Sequence, residues 1–130
     1  MFDKYMICDS GLRNLTQSGQ IAGFQFGARL PYYRGLGLSM IEEVAVTVDG
    51  QAMARENVRL KLRDRTYTLA EMETVYDQVW EMGEVAQVHV LQPGGLTTGP
   101  HRIELMEQLR VSYMPFPIIG RDAKTLNLEA

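Results

Sequence analysis

The stretch Phe24-Gln25-Phe26-Gly27-Ala28-Arg29-Leu30 puts an apolar side chain on every even position, the period of a strand with one buried face. The alternation returns in Glu42-Glu43-Val44-Ala45-Val46-Thr47-Val48, which runs into Asp49-Gly50, a pair that tolerates the positive φ of a tight hairpin turn. Val58, Leu60 and Leu62 then alternate with Arg59, Lys61 and Arg63, giving a third strand with a basic outer face. Further strands are expected over Val85 to Leu91, His101 to Met106 and Leu109 to Tyr113. The connection Pro93-Gly94-Gly95-Leu96-Thr97-Thr98-Gly99-Pro100 is loop chemistry throughout. Met114-Pro115-Phe116-Pro117 reads as extended, because each proline biases its predecessor away from helix.

One segment changes period. Thr68-Leu69-Ala70-Glu71 fits a capping box. Beyond it Met72, Val75, Tyr76, Val79 and Trp80 recur at three- and four-residue spacing, which predicts a short helix over about residues 70–82, ended by Gly83. Six or more strands and one short helix give a mainly β fold, an antiparallel β-sandwich or flattened barrel. The expected organisation is a loop-rich leader over 1–20, the β-sandwich domain over 21–117, and a C-terminal tail over 118–130, mobile or packed on a partner.

The chain has 130 residues, enough for one domain with a genuine core. Apolar residues make up 45% and charged residues 22%, a soluble globular balance with no run of the roughly 18 apolar residues that a membrane span needs. The N-terminal MFDKYMICDSG lacks a basic segment followed by a long apolar stretch, so a cytoplasmic location is expected, with no secretory signal and no membrane partner. The one cysteine, Cys8, excludes an internal disulfide framework and a thiolate-built zinc site. A net charge of −3 argues against nucleic acid as a partner.

Residues for chemistry are scarce. A metal site on this chain would rest on His89, His101 and Glu104, yet the last two have opposite strand parity and should point to different faces. Ser39, in Gly37-Leu38-Ser39-Met40-Ile41, lacks the second glycine of a nucleophile elbow and precedes a strand. Nothing around Cys8 predicts a lowered thiol pKa, and Gly35-Leu36-Gly37 is only a fragment of a phosphate-binding loop. Glu42 and Glu43 fall on opposite faces and cannot act jointly. The acids Glu71, Glu73, Asp77, Glu81 and Glu84 follow a basic segment holding Arg55, Arg59, Lys61, Arg63 and Arg65. That contrast fits a solvated helix face beside a basic strand edge, or charge-complementary docking to another protein.

The connection Leu30-Pro31-Tyr32-Tyr33-Arg34-Gly35-Leu36-Gly37-Leu38-Ser39-Met40-Ile41 is unusually apolar for a loop. Tyrosine and arginine are enriched at interface hot spots. Two readings stand side by side. Either the loop folds back over one end of the sandwich, with Leu36 and Leu38 capping the core, or it docks on a partner and buries its apolar side chains only in the complex. The partner-binding candidates are Tyr32, Tyr33, Arg34, Leu36 and Leu38, with Trp80 and Tyr113 as further candidates; Trp80 also suits the core, since it closes the apolar face of the expected helix.

At this loop the chain becomes recognisable. Gly23-Phe24-Gln25-Phe26, Tyr32-Tyr33-Arg34-Gly35 leading into Ser39-Met40-Ile41-Glu42, and Val48-Asp49-Gly50 come in that order. Glu71-Met72, Trp80 with Gly83-Glu84, Pro93-Gly94-Gly95-Leu96 and Ser112-Tyr113-Met114-Pro115 follow. Over roughly residues 20 to 117 this resembles the small beta subunit of bacterial C-glycoside deglycosidases. The resemblance implies a β-sandwich subunit paired with a sugar-isomerase-like barrel, the alpha subunit, with room for higher heteromeric assembly. It implies that the alpha subunit carries a divalent metal, typically manganese, and the acid/base residues, while this chain carries no cofactor, no metal and no catalytic residue. It further implies a carbon–carbon lyase acting on C-glycosides of flavonoids or related polyphenols, already oxidised to a ketone at sugar C3. A reading from another class is a stand-alone carbohydrate-binding module in which Tyr32 and Tyr33 stack on a sugar face.

Overall fold

The computed structural model describes residues 3–111 and 113–128; residues 1, 2, 112, 129 and 130 lie outside it, Ser112 of the motif above among them. The strands are β1 (Arg13–Gln17), β2 (Gln20–Ala28), β3 (Leu36–Gly37), β4 (Ile41–Val48), β5 (Gln51–Ala52), β6 (Val58–Leu62), β7 (Arg65–Thr68), β8 (Val79–Trp80), β9 (Ala86–Leu91), β10 (Gly99–Leu109) and β11 (Ile118–Leu128), with one α-helix, α1 (Leu69–Met72). They form a five-stranded sheet in the order β1-β2-β9-β6-β7, a four-stranded sheet β11-β10-β4-β5 and the small pair β3-β8. Every described pairing is antiparallel. The sheets do not close into a barrel, so of the two architectures expected the mainly β sandwich is the one adopted.

The core is what strand parity demands. Phe24, Phe26, Val88, Val90, Val58 and Leu60 from one sheet meet Val44, Val46, Ile103, Leu105, Leu109 and Leu126 from the other in a single buried cluster. Alternation along β4, β6 and β9 sends Ala45, Arg59, Lys61 and His89 to the outer surfaces. Two hairpins close on two-residue turns with both φ positive, Ser18-Gly19 (50° and 79°) and Asp49-Gly50 (51° and 84°), the turn hand that matches strand twist.

Four expectations need correction. The helix does not run over 70–82. The capping box is present, with Glu71 N donating to Thr68 Oγ1 at 3.1 Å and Thr68 N donating to Glu71 Oε1 at 2.7 Å, but α1 ends at Met72 and Val79-Trp80 form strand β8. The backbone beyond α1 has other partners: Ser39 N donates to Val75 O, and Leu38 N to Gln78 O. Residues 118–128 are no tail; they make the full-length edge strand β11, paired with β10 from Ile118↔Leu109 to Leu128↔Gly99. The leader is no free loop either. Residues 13–17 are strand β1, and the preceding segment bridges the sheets: Cys8 N donates to Gly27 O, Arg29 N to Met6 O, and Ile7 N to Asp122 Oδ2. Two strands expected over 101–106 and 109–113 are in fact one, β10, which ends at Leu109. Among the described residues no helix is long and apolar enough to cross a membrane.

Candidate functional site

Segments 29–40, 73–85 and 110–117 meet at one end of the sandwich. Leu36 pairs with Trp80 across the short β3-β8 ladder. Trp80 is fully buried, and its indole Nε1 donates to Glu84 O at 2.8 Å. Arg63, in the turn that follows β6, holds the same segment, donating to Glu84 Oε2 at 2.7 Å and to Val79 O at 3.1 Å. Gly35 allows the close approach: a Cβ there would sit 2.3 Å from Glu81 Oε1 and 3.1 Å from Trp80 O. Arg110 N donates to Met40 O, which ties the chain after β10 to the same end.

These ties split the partner-binding candidates. Tyr32, Leu36, Leu38 and Trp80 are buried within the chain itself, so the loop is folded back and its aliphatic side chains cap the core. The docking-loop reading, in which those side chains wait for a complex to bury them, is corrected on that point. Tyr33 and Tyr113 stay half or more exposed, at 50% and 57%, and Arg34 is exposed as well.

The exposed and buried members join through their phenols. Tyr32 OH hydrogen-bonds Tyr113 OH in a short contact and donates to Tyr33 OH at 3.4 Å, while Tyr33 and Tyr113 hydroxyls lie 3.0 Å apart. The Tyr32 and Tyr33 rings pack with centroids 4.4 Å apart, and the Arg34 guanidinium lies 5.3 Å from the Tyr113 ring centroid, within cation–π range. Hydrogen bonding to Tyr113, then to Tyr33, pushes the Tyr32 phenol well above its ordinary value. The bond with Tyr113, then that with Tyr32, and the Arg34 charge hold Tyr33 below its own. The result is an aromatic and cationic platform anchored on a core tyrosine; Phe116, three residues after Tyr113, is 60% exposed. Phe116 had no sequence signal beyond its two flanking prolines. Tyr76, 75% exposed, was expected on a buried helix face; loss of that helix is what leaves it in water.

The residues weighed for catalysis are dispersed. His89 and His101 stand on opposite sheets, and His101 and Glu104 take opposite faces of β10 as parity requires. Among the described residues no three His, Cys, Asp or Glu side chains gather as metal ligands. His101 is instead held by Asp49 and Thr97, and Cys8 packs against the site of a missing side chain at Gly27.

A family model described as C-glycoside deglycosidase beta subunit matches residues 2–113. A C-glycoside deglycosidase beta subunit of Eubacterium cellulosolvens is 37% identical over 118 residues, 90% of this chain and 80% of that one. A 3'-dehydrocarminate deglycosidase beta subunit of a Microbacterium species is 39% identical over 107 residues, 79% of this chain and 80% of that one. A third relative, a C-glycoside deglycosidase beta subunit of Arthrobacter globiformis, is 31% identical over 93 residues, 71% of this chain and 70% of that one. A match across nearly the whole sandwich, including the segments that build the tyrosine platform, places the chain: it belongs to the C-glycoside deglycosidase beta subunit family.

Proposed function

We propose that the chain is the non-catalytic small subunit of a cytoplasmic carbon–carbon lyase that cleaves 3-oxo-C-glycosides of flavonoid-type aglycones. The observation that carries this reading is the family membership of a sandwich whose one end presents Tyr33, Arg34 and Tyr113 on a buried anchor. The partner is a sugar-isomerase-like barrel, the alpha subunit, which supplies the acid/base residues and a divalent metal, manganese, that stabilises developing negative charge. The His, Cys, Asp and Glu residues described on this chain do not fit that metal, and no step is assigned to them.

In this reading the C3 ketone acidifies the C2 proton. A base removes it, the C1–C bond breaks with its electron pair leaving on the aglycone carbon, and a proton returns to that carbon. The products are the aglycone and an unsaturated keto sugar. The small subunit holds the barrel in shape through a platform whose Tyr and Arg side chains are prearranged, so little side-chain entropy is lost on docking. Assay of the alpha subunit with and without this chain on a 3-oxo-C-glycoside tests the proposal: full activity only with both chains supports it, and undiminished activity of the alpha subunit alone overturns it.

A further inference from the structure

The outer face of the five-stranded sheet carries a straight cross-strand row. Arg13 stands opposite Gln25, Gln25 opposite His89, and His89 opposite Arg59. Elementary chemistry places the protons in this row. A guanidinium only donates, so Gln25 turns its carbonyl oxygen to Arg13, accepting from Nε at 2.7 Å and from a terminal nitrogen at 3.0 Å. The Gln25 amide nitrogen then lies 3.0 Å from His89 Nε2 and donates to it. Nε2 is therefore the bare nitrogen, and the ring keeps its proton on Nδ1. Burial, with the Lys61 charge adding, holds His89 below the ordinary imidazole value, which favours this neutral ring. Among the described residues Nδ1–H has no hydrogen-bond acceptor. The row thus points donor after donor from Arg13 toward one open N–H.

His89 lines a cleft of about 460 Å³ with two chemistries. Leu15 and Leu91 line it from the strands on either side of Gly23 and give it an apolar end; a Cβ at Gly23 would sit 2.0 Å from Val90 O, so glycine there lets the strands pack this closely. Arg59 and Thr66 line it beside His89. Arg59 uses Nη1 on Glu56 O at 3.1 Å and has further N–H groups to offer. Glu71 acts on Arg59 only through its charge, from the neighbouring helix. Among the described residues no carboxylate lines the cleft, so the polar end offers donors to an anion.

We propose that this cleft binds a small organic carboxylate, with its anionic end on Arg59 and the His89 Nδ1–H and its apolar body against the Leu15 and Leu91 side chains that line the other end. This site lies on the opposite sheet face from the core and does not depend on the subunit reading.

The test is a titration of the full chain, without partner, with sodium benzoate, followed by the His89 imidazole nitrogen resonances and by calorimetry. Expected is saturable binding with a dissociation constant in the millimolar range, as suits so small a ligand, and a shift at His89 Nδ1. Acetate, which lacks the ring, and benzamide, which lacks the charge, should each bind about tenfold more weakly. Arg59→Gln should weaken benzoate about tenfold with an unchanged melting temperature, since the side chain is on the surface. Silence of the His89 resonances up to roughly 20 mM benzoate, equal affinity for benzamide or acetate, or full affinity in Arg59→Gln would each overturn the proposal while leaving subunit assembly untouched.

Discussion

His101 is tied to Asp49 across the mouth of a hairpin: its Nδ1 lies 2.7 Å from Asp49 Oδ2, while its Nε2 lies 2.7 Å from the carbonyl oxygen of Thr97. Both partners only accept, so the ring holds both of its protons and a positive charge. Asp49 also accepts from Arg102 N at 2.8 Å. One buried imidazolium thus clamps the Asp49-Gly50 turn to the loop between β9 and β10.

The clamp makes stability pH-dependent in a defined window. The Asp49 carboxylate, foremost, holds His101 above its ordinary value of 6.5. Its contribution is full below the unfolded value and fades as pH rises through the higher folded one. The hydrogen bond from His101, foremost, holds Asp49 below its ordinary 3.8, so that contribution is present above 3.8 and is lost as pH falls through the lower folded value. The clamp is strongest between those two ordinary values. His101→Phe, which keeps a ring, should cost about 2 kcal/mol at a pH inside the window, with the gap to wild type narrowing well above it. Urea denaturation at several pH values measures this; a gap independent of pH would refute it.

Trp80 should behave as a core residue. Trp80→Ala should cost about 3–5 kcal/mol by denaturant unfolding. Trp80→Phe should cost less, about 1–2 kcal/mol, chiefly because Glu84 O loses its indole donor. A Trp80→Phe variant as stable as wild type would show that the hydrogen bond carries no weight.

The capping box serves a helix of one turn. Thr68→Ala should lower stability by about 1 kcal/mol, and Glu71→Ala should do the same by removing the reciprocal bond to Thr68 N. A double variant that loses no more than either single one would show the two bonds acting as one unit, and full additivity would show them independent.

The two halves of the 30–41 loop should separate in mutagenesis. Leu38→Ala, at a fully buried side chain, should lower stability by about 2–5 kcal/mol. Tyr33→Ala and Arg34→Ala, at exposed side chains, should leave unfolding within about 0.5 kcal/mol of wild type and weaken association with the alpha subunit by 1 kcal/mol or more. Affinity measured by biolayer interferometry beside thermal melts distinguishes the cases.

Much of the sandwich was legible because burial on one face writes itself as period two. Val44–Val48 and Val58–Leu62 show it without interruption, while Phe24–Ala28 alternates in sequence but is buried on both faces. The helix over 70–82 misled because Met72 and Trp80 are both buried, eight residues apart; a turn braced by Arg63 and by the 38–39 backbone gives that spacing as well as a helix does. Strand β11 was hidden because its inward positions include Gly120, Asp122 and Lys124, which serve Pro31 and the backbone of Ile7 in place of an apolar core. Strand β1 is an edge strand, and its Arg13-Asn14-Leu15-Thr16-Gln17 carries almost no hydrophobic signal. At the platform, residue types singled out Tyr33, Arg34 and Tyr113 as partner-binding candidates, and all three side chains are exposed. Which tyrosine anchors and which face water depended on contacts between positions 81 residues apart, beyond the reach of any local pattern.

Native mass spectrometry of this chain expressed together with its alpha subunit tests the central claim most directly. The account predicts a heteromeric complex containing both chains, lost or much reduced when Tyr33, Arg34 and Tyr113 are all replaced by alanine in a chain that still melts normally. A wild-type chain that stays apart from the alpha subunit, or a triple variant that assembles as well as wild type, would contradict it.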